Sequence, residues 1–588
     1  MASWDLSPLY RHAQSLVLPD SARLVSFHNG RVVLRSLATL QILRTWSLAP
    51  PSPPSASSSR SARPAPPLVE LTSFAVAPGP PHYVLCYAAK ARTAWVLDPE
   101  QDEIVATLEV GNEGAVRMDW AQVGSAAGDQ GEAVIMAWSS HHLRLSLYRL
   151  SSSNASALHI LNPKHSHSAG HAFHPRGSFL AILERHNSRD VIGIYSTKGD
   201  WALVRSITLP DPSSDLAGLS WSPCGRYIGA WSHVTDYLVH FYLPTGQHLS
   251  TFSPYSSLSS PPLQPAKNAK PARKPSASTA TATQSPRAEQ EKEKELSLED
   301  RKRDERSTAS YVGLGVRTVE WHGSGEWVAI GGYDGKIRIL SHHGFVTIAE
   351  LGIAQRIAEP VMLWREPQGW VEKTRGKGIV SFDRITTLPY TLTPVVANPA
   401  VPNPKMGFSR LLWSSSGAWL VGLNQSHPNA LSLFSFPLAA SLSSSSSPSP
   451  SSSTFARPAL HTVILFANTV RDFAWQPNAD IAAQDSLVVV SGESAFAVWT
   501  PPSEGGTGGG EAEGVGVPAG QTDFPVTSLS FSRSGDALLL SSQPSVVPAT
   551  TANPKERKER EAAGEGGAMF CVAYPVAAEE ERTWIAEE

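Results

Sequence analysis

The sequence predicts an all-β fold, a β-propeller of about nine or ten blades, and three observations carry this prediction. Residues 316–340 contain three short strands joined by tight turns, which is most of one propeller blade. Spacings of 44 residues from Val76 to Trp120 and 48 from Phe173 to Trp221 lie near the propeller period of about 40–45 residues. One sequence motif, an apolar anchor residue followed by a small turn, recurs along the chain. Its anchors are Val17, Val76, Trp120, Phe173, Trp221, Trp321, Trp413, Trp475 and Phe531.

The stretch around Trp321 shows how one repeat is built. An apolar strand ends at Trp321, a glycine turn follows, and a second strand begins at Trp327. Asp334-Gly335 is a strong hairpin-turn signal, and the residues after it alternate polar with apolar side chains, as a strand with one wetter face does. The stretch is similar to the WD-repeat consensus, although Leu340 stands where that consensus has a tryptophan.

The repeat pattern gives nine clear units in chain order and one doubtful unit near 361–387. We favour one large ring, because ten units do not fill two seven-bladed rings; two propellers are the alternative. The last unit lacks an outer strand, so we expect Trp4 to Ser7 to complete that blade and close the ring. The nine clear units are 1–48, 69–110, 111–162, 163–210, 211–253, a unit around 316–340, 411–436, 470–500 and 526–574.

The units fall into two parts, 1–254 and 311–588, on either side of a long insert at 255–310. The insert is rich in Ser, Pro, Ala and Lys in its first half and in charges of both signs in its second half. It has almost no apolar face to bury, which predicts disorder. Shorter stretches of similar composition are predicted to be disordered loops at 49–67, 441–455, 503–520 and 543–567.

Composition and charge argue against several classes of protein. The chain is 41% hydrophobic and 17% charged, as globular proteins are, and its formal net charge of −3 gives no global electrostatic case for binding nucleic acid or an anionic membrane. The three cysteines lie far apart and form no disulfide framework, which fits a reducing compartment. We see no signal peptide and no run of about 18 apolar residues, so the sequence predicts a cytoplasmic protein.

No group of residues carries a catalytic, cofactor-binding or metal-binding prediction. Gly376-Lys377-Gly378 lacks the spacing and the Ser or Thr of a phosphate loop. The repeated tryptophans are expected to pack in the core, and Asp334 to tie its turn by hydrogen bonds. Four close histidines are of a type that zinc accepts, but no cysteine or carboxylate near them in sequence completes a set, and we interpret them as structural: His165, His167, His171 and His174. The sequence therefore predicts a non-enzymatic protein with no cofactor, and it leaves the partner-binding residues unassigned.

Beyond the general blade pattern, several phrases resemble the centrosomal and spindle-pole WD-repeat protein family. The resemblance covers nearly all blade segments and leaves out the low-complexity inserts. The motif at 403–407 is the most specific, since the general WD-repeat pattern does not require it. In chain order the phrases are Thr39-Leu-Gln-Ile-Leu43, Leu180-Ala-Ile-Leu-Glu-Arg185, Gly246-Gln-His-Leu-Ser-Thr-Phe252, Gly332-Tyr-Asp-Gly-Lys-Ile-Arg-Ile-Leu340, Asn403-Pro-Lys-Met-Gly407 and Pro428-Asn-Ala430.

The resemblance implies a scaffold of the spindle pole body or centrosome. Such a scaffold binds a coiled-coil anchoring protein and, through it, a minus-end-directed kinesin, and helps to anchor microtubule minus ends and organise the mitotic spindle. It touches neither nucleic acid nor membrane directly. Two alternatives stay open. A WD-repeat adaptor in another complex, such as a translation or RNA-linked assembly, would require a stripe of basic residues on its surface. A propeller enzyme would need carboxylates or histidines that converge on the central channel.

Overall fold

Nine antiparallel sheets follow one another in the computed structural model, and each is built on four strands. We number them blades 1–9 in chain order. The all-β prediction and the nine clear repeats are confirmed. The structure describes residues 3–12, 14–48, 69–122, 133–150, 157–254, 314–374, 376–398, 401, 404–436, 457–477, 485–502, 510–518, 524–542 and 568–576. The stretches 49–67, 255–310, 441–455 and 543–567, which the sequence predicts to be disordered, lie outside these residues.

The first part of the chain holds blades 1–3 after one strand that belongs to blade 9. That strand is β1 (Ser3–Leu6). Blade 1 holds β2 (Gln14–Val17), β3 (Arg23–His28), β4 (Arg31–Ser36) and β5 (Ile42–Ser47). Blade 2 holds β6 (Ser73–Val76), β7 (Val84–Ala88), β8 (Thr93–Leu97) and β9 (Ile104–Glu109). Blade 3 holds β10 (Ala115–Trp120), β11 (Val134–Ser139), β12 (Arg144–Arg149) and β13 (Leu158–Leu161).

Blades 4–6 continue the same order, and a single 3-10 turn at Ser168–Gly170 precedes blade 4. Blade 4 holds β14 (His171–Phe173), β15 (Phe179–His186), β16 (Arg189–Ser196) and β17 (Leu203–Thr208). Blade 5 holds β18 (Leu216–Trp221), β19 (Ile228–Ser232), β20 (Val239–Tyr242) and β21 (His248–Phe252). Blade 6 holds β22 (Val316–Trp321), β23 (Trp327–Gly332), β24 (Lys336–Ser341) and β25 (Thr347–Gly352).

A connecting segment of residues 353–398, which we name the clasp, separates blade 6 from blade 7. Its elements are β26 (Arg356–Ile357), β27 (Met362–Arg365), α1 (Trp370–Thr374), β28 (Ile379–Ser381), β29 (Asp383–Arg384) and β30 (Tyr390–Thr391). Blade 7 holds β31 (Phe408–Trp413), β32 (Trp419–Asn424), β33 (Ala430–Ser435) and β34 (Ala459–Leu465). Blade 8 holds β35 (Asp472–Trp475), β36 (Leu487–Val490), β37 (Ala495–Thr500) and β38 (Glu511–Gly516). Blade 9 holds β39 (Ser528–Phe531), β40 (Leu538–Ser542) and β41 (Met569–Val576), together with β1.

The clasp is where the doubtful unit near 361–387 was expected, and that expectation is wrong. Its strands do not form a blade: β27 pairs in parallel with β34, and β28 pairs antiparallel with β38, so they extend blades 7 and 8 outward. The segment does not build a blade because its strands are only two to four residues long, and two of them, β26 and β30, form a separate two-stranded sheet. Instead it buries Trp370 and Phe382 on the ring.

The strands of a blade differ in burial according to their distance from the outside of the ring. The second and third strands are buried throughout in blade 2, because both faces of the sheet pack on neighbouring blades. The outer strands β5 and β17 are mostly exposed. This difference explains why the middle strands are runs of apolar residues rather than alternating ones.

The blades close into one ring, since a buried cluster joins each pair of consecutive blades all the way round. Blade 9 packs on blade 1 through a cluster that includes Leu24, Leu539 and Phe570. The remaining eight neighbouring pairs are joined in the same way. A single nine-bladed ring is therefore confirmed, and the alternative of two propellers is wrong.

The N-terminal strand closes the ring, as the sequence predicts. β1 pairs antiparallel with β41, with Trp4 opposite Pro575 and Leu6 opposite Ala573. The Trp4 ring also meets Phe496 of blade 8 edge-on, at 5.2 Å between centroids. Blade 9 is thus completed by residues from opposite ends of the chain.

The nine anchor residues named from the sequence are the last residues of the nine innermost strands. Five of them are tryptophans that also bind the blade before. Each indole N–H donates a hydrogen bond of 2.9–3.4 Å to the preceding blade. The acceptor lies on the residue immediately before the anchor of that blade. The acceptor residues are Ala75, Ala172, Ser220, Glu320 and Leu412. Four of these acceptors are main-chain carbonyls, and the Trp321 acceptor is the Ser220 hydroxyl. The anchors therefore both fill the core and fix each blade to its neighbour.

The prediction of disorder at 503–520 is wrong for its second half. Residues 511–516 form β38, the outer strand of blade 8, with Ala512 and Val515 buried. The glycines that suggested low complexity make room for the clasp. A Cβ on Gly514 would lie 2.7 Å from the Trp370 ring, and one on Gly516 would lie 2.6 Å from the Gly376 backbone.

Among the described residues, no helix is long and apolar enough to span a bilayer.

Candidate protein-binding interface

The innermost strands of blades 9, 1, 2 and 3 enclose a cleft of about 770 Å³ on the channel side. Its lining mixes apolar side chains with several hydroxyl groups, among them Ser15, Thr72 and Ser530. Arg117 and Asp119 lie on its wall and form an ion pair with each other. The two opposite charges balance, so this wall presents no net charge to a ligand.

Charged side chains on the inner strands of blades 7 and 8 join neighbouring blades. Arg410 forms an ion pair with Asp472 and donates to the Phe473 carbonyl over 2.9 Å. The second carboxylate oxygen of Asp472 accepts the Leu529 N–H of blade 9 over 3.0 Å. These charges satisfy strand-edge groups across two blade boundaries, so they act as structural links.

Glu320 is a half-buried carboxyl group on the inner strand of blade 6. Burial raises its pKa to about 7, although the positive charge of Arg410 opposes the shift. Burial has this effect because it disfavours the charged form of an acid. The group therefore titrates near neutral pH, which makes it a source of pH-dependent stability.

The four histidines singled out in the sequence take packing positions. His171 lies on β14 and packs on Trp138, at 4.9 Å between ring centroids, and His174 meets Trp221 edge-on at 5.0 Å. His165 and His167 stack on each other at 4.6 Å. Burial lowers the pKa of both His165 and His171 to about 4, so both are neutral near pH 7. Within the described ranges, no group of three or more His, Cys, Asp or Glu side chains has the arrangement to hold a metal ion.

Asp334 ties its hairpin, as expected from the sequence. Its carboxylate accepts the Lys336 N–H over 3.2 Å and pairs with Arg338 over 2.7 Å. Arg338 in turn donates to the Tyr237 hydroxyl of blade 5 over 3.0 Å. The residue thus stabilises a turn and a blade boundary.

A buried ionic group between blades 4 and 5 was not found from the sequence. Lys164 and Asp190 have side chains only 6% and 0% exposed, and their charged atoms are 2.5 Å apart. Asp215 contacts both Lys164 and Arg185. Burial alone would raise the pKa of Asp190, but hydrogen bonds from Arg185 and Lys164 hold it below its usual value. The signal was not readable because Lys164 and Asp190 lie 26 positions apart within one repeat and Asp215 comes from the next repeat.

The outside of the ring carries exposed aliphatic side chains at one level. Every outer strand of blades 1–6 runs in the same direction, so the first residues of these strands lie at the same height. In blades 1, 2, 4, 5 and 6 exposed aliphatic residues stand at the first position of the outer strand or within one residue of it; the first residues of β21 and β25 themselves are His248 and Thr347. We name these aliphatic residues the rim belt: Ile42, Leu43, Ile104, Val105, Leu203, Val204, Leu249, Val346 and Ile348.

The rim belt does not continue onto blades 7–9, where other segments of the chain form the outer edge of the blade. In blades 7 and 8 the clasp strands β27 and β28 lie on the outer strands, and in blade 9 the outer strand is β1. Exposed aliphatic groups mark protein-binding surfaces when they are organised rather than scattered. The sequence held a signal for the belt: Ile42-Leu43, Ile104-Val105 and Leu203-Val204 are paired aliphatics, and in a strand two neighbours cannot both face the core.

The chain is similar to curated proteins of the WD-repeat kind. It is 24% identical to the WD repeat-containing protein WRAP73 of Mus musculus over 542 residues, covering 89% of this chain and 90% of that protein. It is 26% identical to an uncharacterized WD repeat-containing protein of Schizosaccharomyces pombe over 172 residues, 29% of this chain and 32% of that protein. No protein-family model matches the chain.

Two solved structures match the chain at low similarity. The Dos1 propeller covers 70% of this chain and 76% of its own, with 10% identity and a TM-score of 0.35. Chaetomium thermophilum Sqt1, bound to the N-terminus of the ribosomal protein L10, covers 79% of this chain and 93% of its own, with 13% identity and a TM-score of 0.40. TM-scores this low support no statement about the function of this chain.

Proposed function

We propose that this chain, which belongs to the WD-repeat family, is a non-enzymatic scaffold of the spindle pole body or centrosome. The similarity to WRAP73 runs over 89% of the chain, so it takes in the whole ring rather than one repeat. The scaffold binds a coiled-coil anchoring protein and, through it, a minus-end-directed kinesin. In this way it helps to anchor microtubule minus ends and to organise the mitotic spindle in the cytoplasm.

The rim belt is the observation that carries the proposal. A closed ring with buried clusters at every blade boundary is rigid, and it presents aliphatic side chains at one height on five of its blades. A rigid surface of this kind avoids the ordering entropy that a flexible segment loses on binding. A long partner such as a coiled coil is able to contact several blades at once.

The blades rather than the inserts are expected to bind the partner, since the family-like phrases all lie in blades. The test is affinity purification from mitotic cells with a trimmed chain that lacks 51–67, 255–310, 441–455 and 503–509. The last deletion stops at 509 because 511–516 is a strand of blade 8. Retention of a coiled-coil pole protein supports the proposal. Loss of that protein from a folded trimmed chain places the binding site in the inserts.

A second arm tests the rim belt itself. Replacing Ile42 and Val105 by serine in the full chain is expected to weaken capture of the coiled-coil protein, because both side chains are exposed belt members. The matched control is Leu161→Ser, an aliphatic residue 60% exposed at the other end of an outer strand. Equal capture by all three proteins would show that the belt is not the contact. Imaging the tagged chain in dividing cells tests the location at the pole.

A further inference from the structure

The outer edge of blade 4 borders a groove of about 430 Å³. All six residues of β17, Leu203–Thr208, line it, and Gly246 of blade 5 forms the opposite wall. Five of the six residues are exposed. One edge of β17 pairs with β16, and within the part of the chain that the structure describes no strand pairs with the other edge. A strand edge facing a groove offers main-chain donors and acceptors to an incoming strand.

The chain itself shows that blade edges of this ring accept added strands. In blade 8, β28 pairs antiparallel with the outer strand, with Ile379 opposite Val515 and Ser381 opposite Glu513. In blade 7, β27 pairs in parallel, with Leu363 opposite Val463. The added strands are short and mostly apolar. The geometry of an outer blade edge therefore fits a further extended segment in either direction.

Charge and side-chain pattern describe the segment that would fit blade 4. Arg205 is exposed in the middle of β17, and neither β17 nor the turn at 243–248 contains an acidic residue. Gly246, with a φ of +90°, lets that turn lie against Arg205: a Cβ there would be 2.9 Å from Arg205 Nε. Val204 and Leu203 are 56% and 51% exposed beside it. An acidic residue on the incoming strand would face Arg205, and its aliphatic neighbours would cover the two exposed side chains.

We propose that the outer edge of blade 4 binds an extended segment of a partner protein as an added strand, and that this segment alternates aliphatic with acidic residues. This mode of binding is known as β-augmentation: main-chain hydrogen bonds provide affinity and the alternating side chains provide selectivity. The site shares Leu203 and Val204 with the rim belt, but binding of a strand at this edge does not depend on where in the cell the protein works.

The test uses the full chain and a synthetic, end-capped peptide that alternates valine with glutamate. Amide hydrogen exchange, followed by mass spectrometry, is measured with and without the peptide. We expect exchange in Leu203–Thr208 to slow by about threefold or more at saturating peptide, because added main-chain hydrogen bonds protect the strand. The outer strands β5 and β9 serve as internal references, since they expose aliphatic pairs without the groove. The control peptide carries proline at alternate positions and cannot donate the ladder hydrogen bonds.

A charge reversal makes the test specific. Arg205→Glu is a surface change, so the variant is expected to keep its melting temperature, to lose protection by the valine–glutamate peptide and to gain protection from a valine–lysine peptide. Absence of protection in the unchanged chain overturns the proposal, as does equal protection of β5, β9 and β17. Protection that grows with protein concentration in the absence of peptide would instead identify a second copy of this chain as the occupant, and would also overturn it.

Discussion

The anchor tryptophans show how one residue type serves both packing and connection. The Trp321 ring is buried between blades 5 and 6, and its N–H reaches the Ser220 hydroxyl of the preceding inner strand at 2.9 Å. The other four anchor tryptophans make the same link to a main-chain carbonyl. Because the acceptor at Trp321 is a side chain, both partners of this one link can be changed by mutation.

We predict that Trp321→Phe and Ser220→Ala are coupled. Each single change removes one partner of a partly buried hydrogen bond, and each should lower the free energy of unfolding by about 0.5–1.5 kcal/mol. The double variant should cost less than the sum, with a coupling of about 0.5–1.5 kcal/mol. Urea unfolding of the four proteins measures the coupling. Strict additivity would mean that the tryptophan acts by packing alone.

Glu320 should make the ring less stable at alkaline pH. Its folded pKa, about 7, lies above the ordinary value of 4.5, so the unfolded chain releases its proton first as pH rises. The cost is absent below about pH 4.5, grows between the two pKa values and is complete above about pH 7. Glu320→Gln removes it, so the variant should be more stable than the parent by about 1–3 kcal/mol at about pH 8, with a smaller gap at about pH 5. Thermal melts across this range measure the gap, and a gap independent of pH would contradict the assignment.

At the scale of elements, the clasp and β38 depend on each other. Trp370 of α1 donates its indole N–H to Glu366 over 2.9 Å, and the other oxygen of Glu366 accepts the Ala467 N–H over 2.9 Å. The Trp370 ring lies on Gly514, so the glycine-rich strand and the helix form one packed unit. The clasp thus covers the outer edges of blades 7 and 8 and removes them from the set of open edges.

Gly514→Ala should destabilise blade 8, because its methyl group would lie 2.7 Å from the Trp370 ring. We expect a loss of about 1–3 kcal/mol in the free energy of unfolding, as for other overpacked sites. Adding Trp370→Ala, which creates space, should make the glycine change nearly neutral in that background. Gly111→Ala is the control, since a methyl group there meets nothing within 4 Å. Equal effects of the two glycine changes would contradict the close packing of the clasp.

At the scale of the whole molecule, ring closure depends on a strand from the start of the chain. β1 pairs with β41 over four residues, and Ser7 extends the contact by accepting the Val572 N–H over 2.9 Å. Opening this boundary leaves the edge of β41 and the surface around Phe496 without cover. The stability of the ring should therefore be sensitive to the N-terminus.

We predict that removing residues 1–6 lowers the melting temperature by several degrees, since a large domain shifts by about 2–4 °C or less for each kcal/mol lost. A synthetic peptide of residues 1–12, added in trans, should restore part of the loss. The same peptide with Trp4→Asp should not, because its charged side chain cannot pack on Phe496. An unchanged melting temperature after the truncation would show that β1 does not hold the ring closed.

Removing 255–310 should leave the melting temperature within about 3 °C when the ends are joined by a short glycine–serine linker. The expectation follows from the lack of any core-forming pattern in that stretch, together with the direct packing of blade 5 on blade 6 through Phe241, Val319 and Trp321. Differential scanning calorimetry measures the shift. Loss of soluble protein on deletion would show that the insert contributes to folding.

The sequence by itself determined the features that repeat or that depend on neighbours along the chain. The nine anchor positions, the Asp334 turn and the closing role of the N-terminus were all readable, because a period near the blade length and strand alternation are local signals. Only the tertiary structure decided what depends on distant residues. The clasp lies on blades 7 and 8 because Trp370 and Phe382 find partners there. The Lys164–Asp190–Asp215 group joins different repeats. The paired aliphatic residues of the rim belt were readable in the sequence, but the outermost place of their strands was not, because no local pattern states which strand of a sheet will have no neighbour.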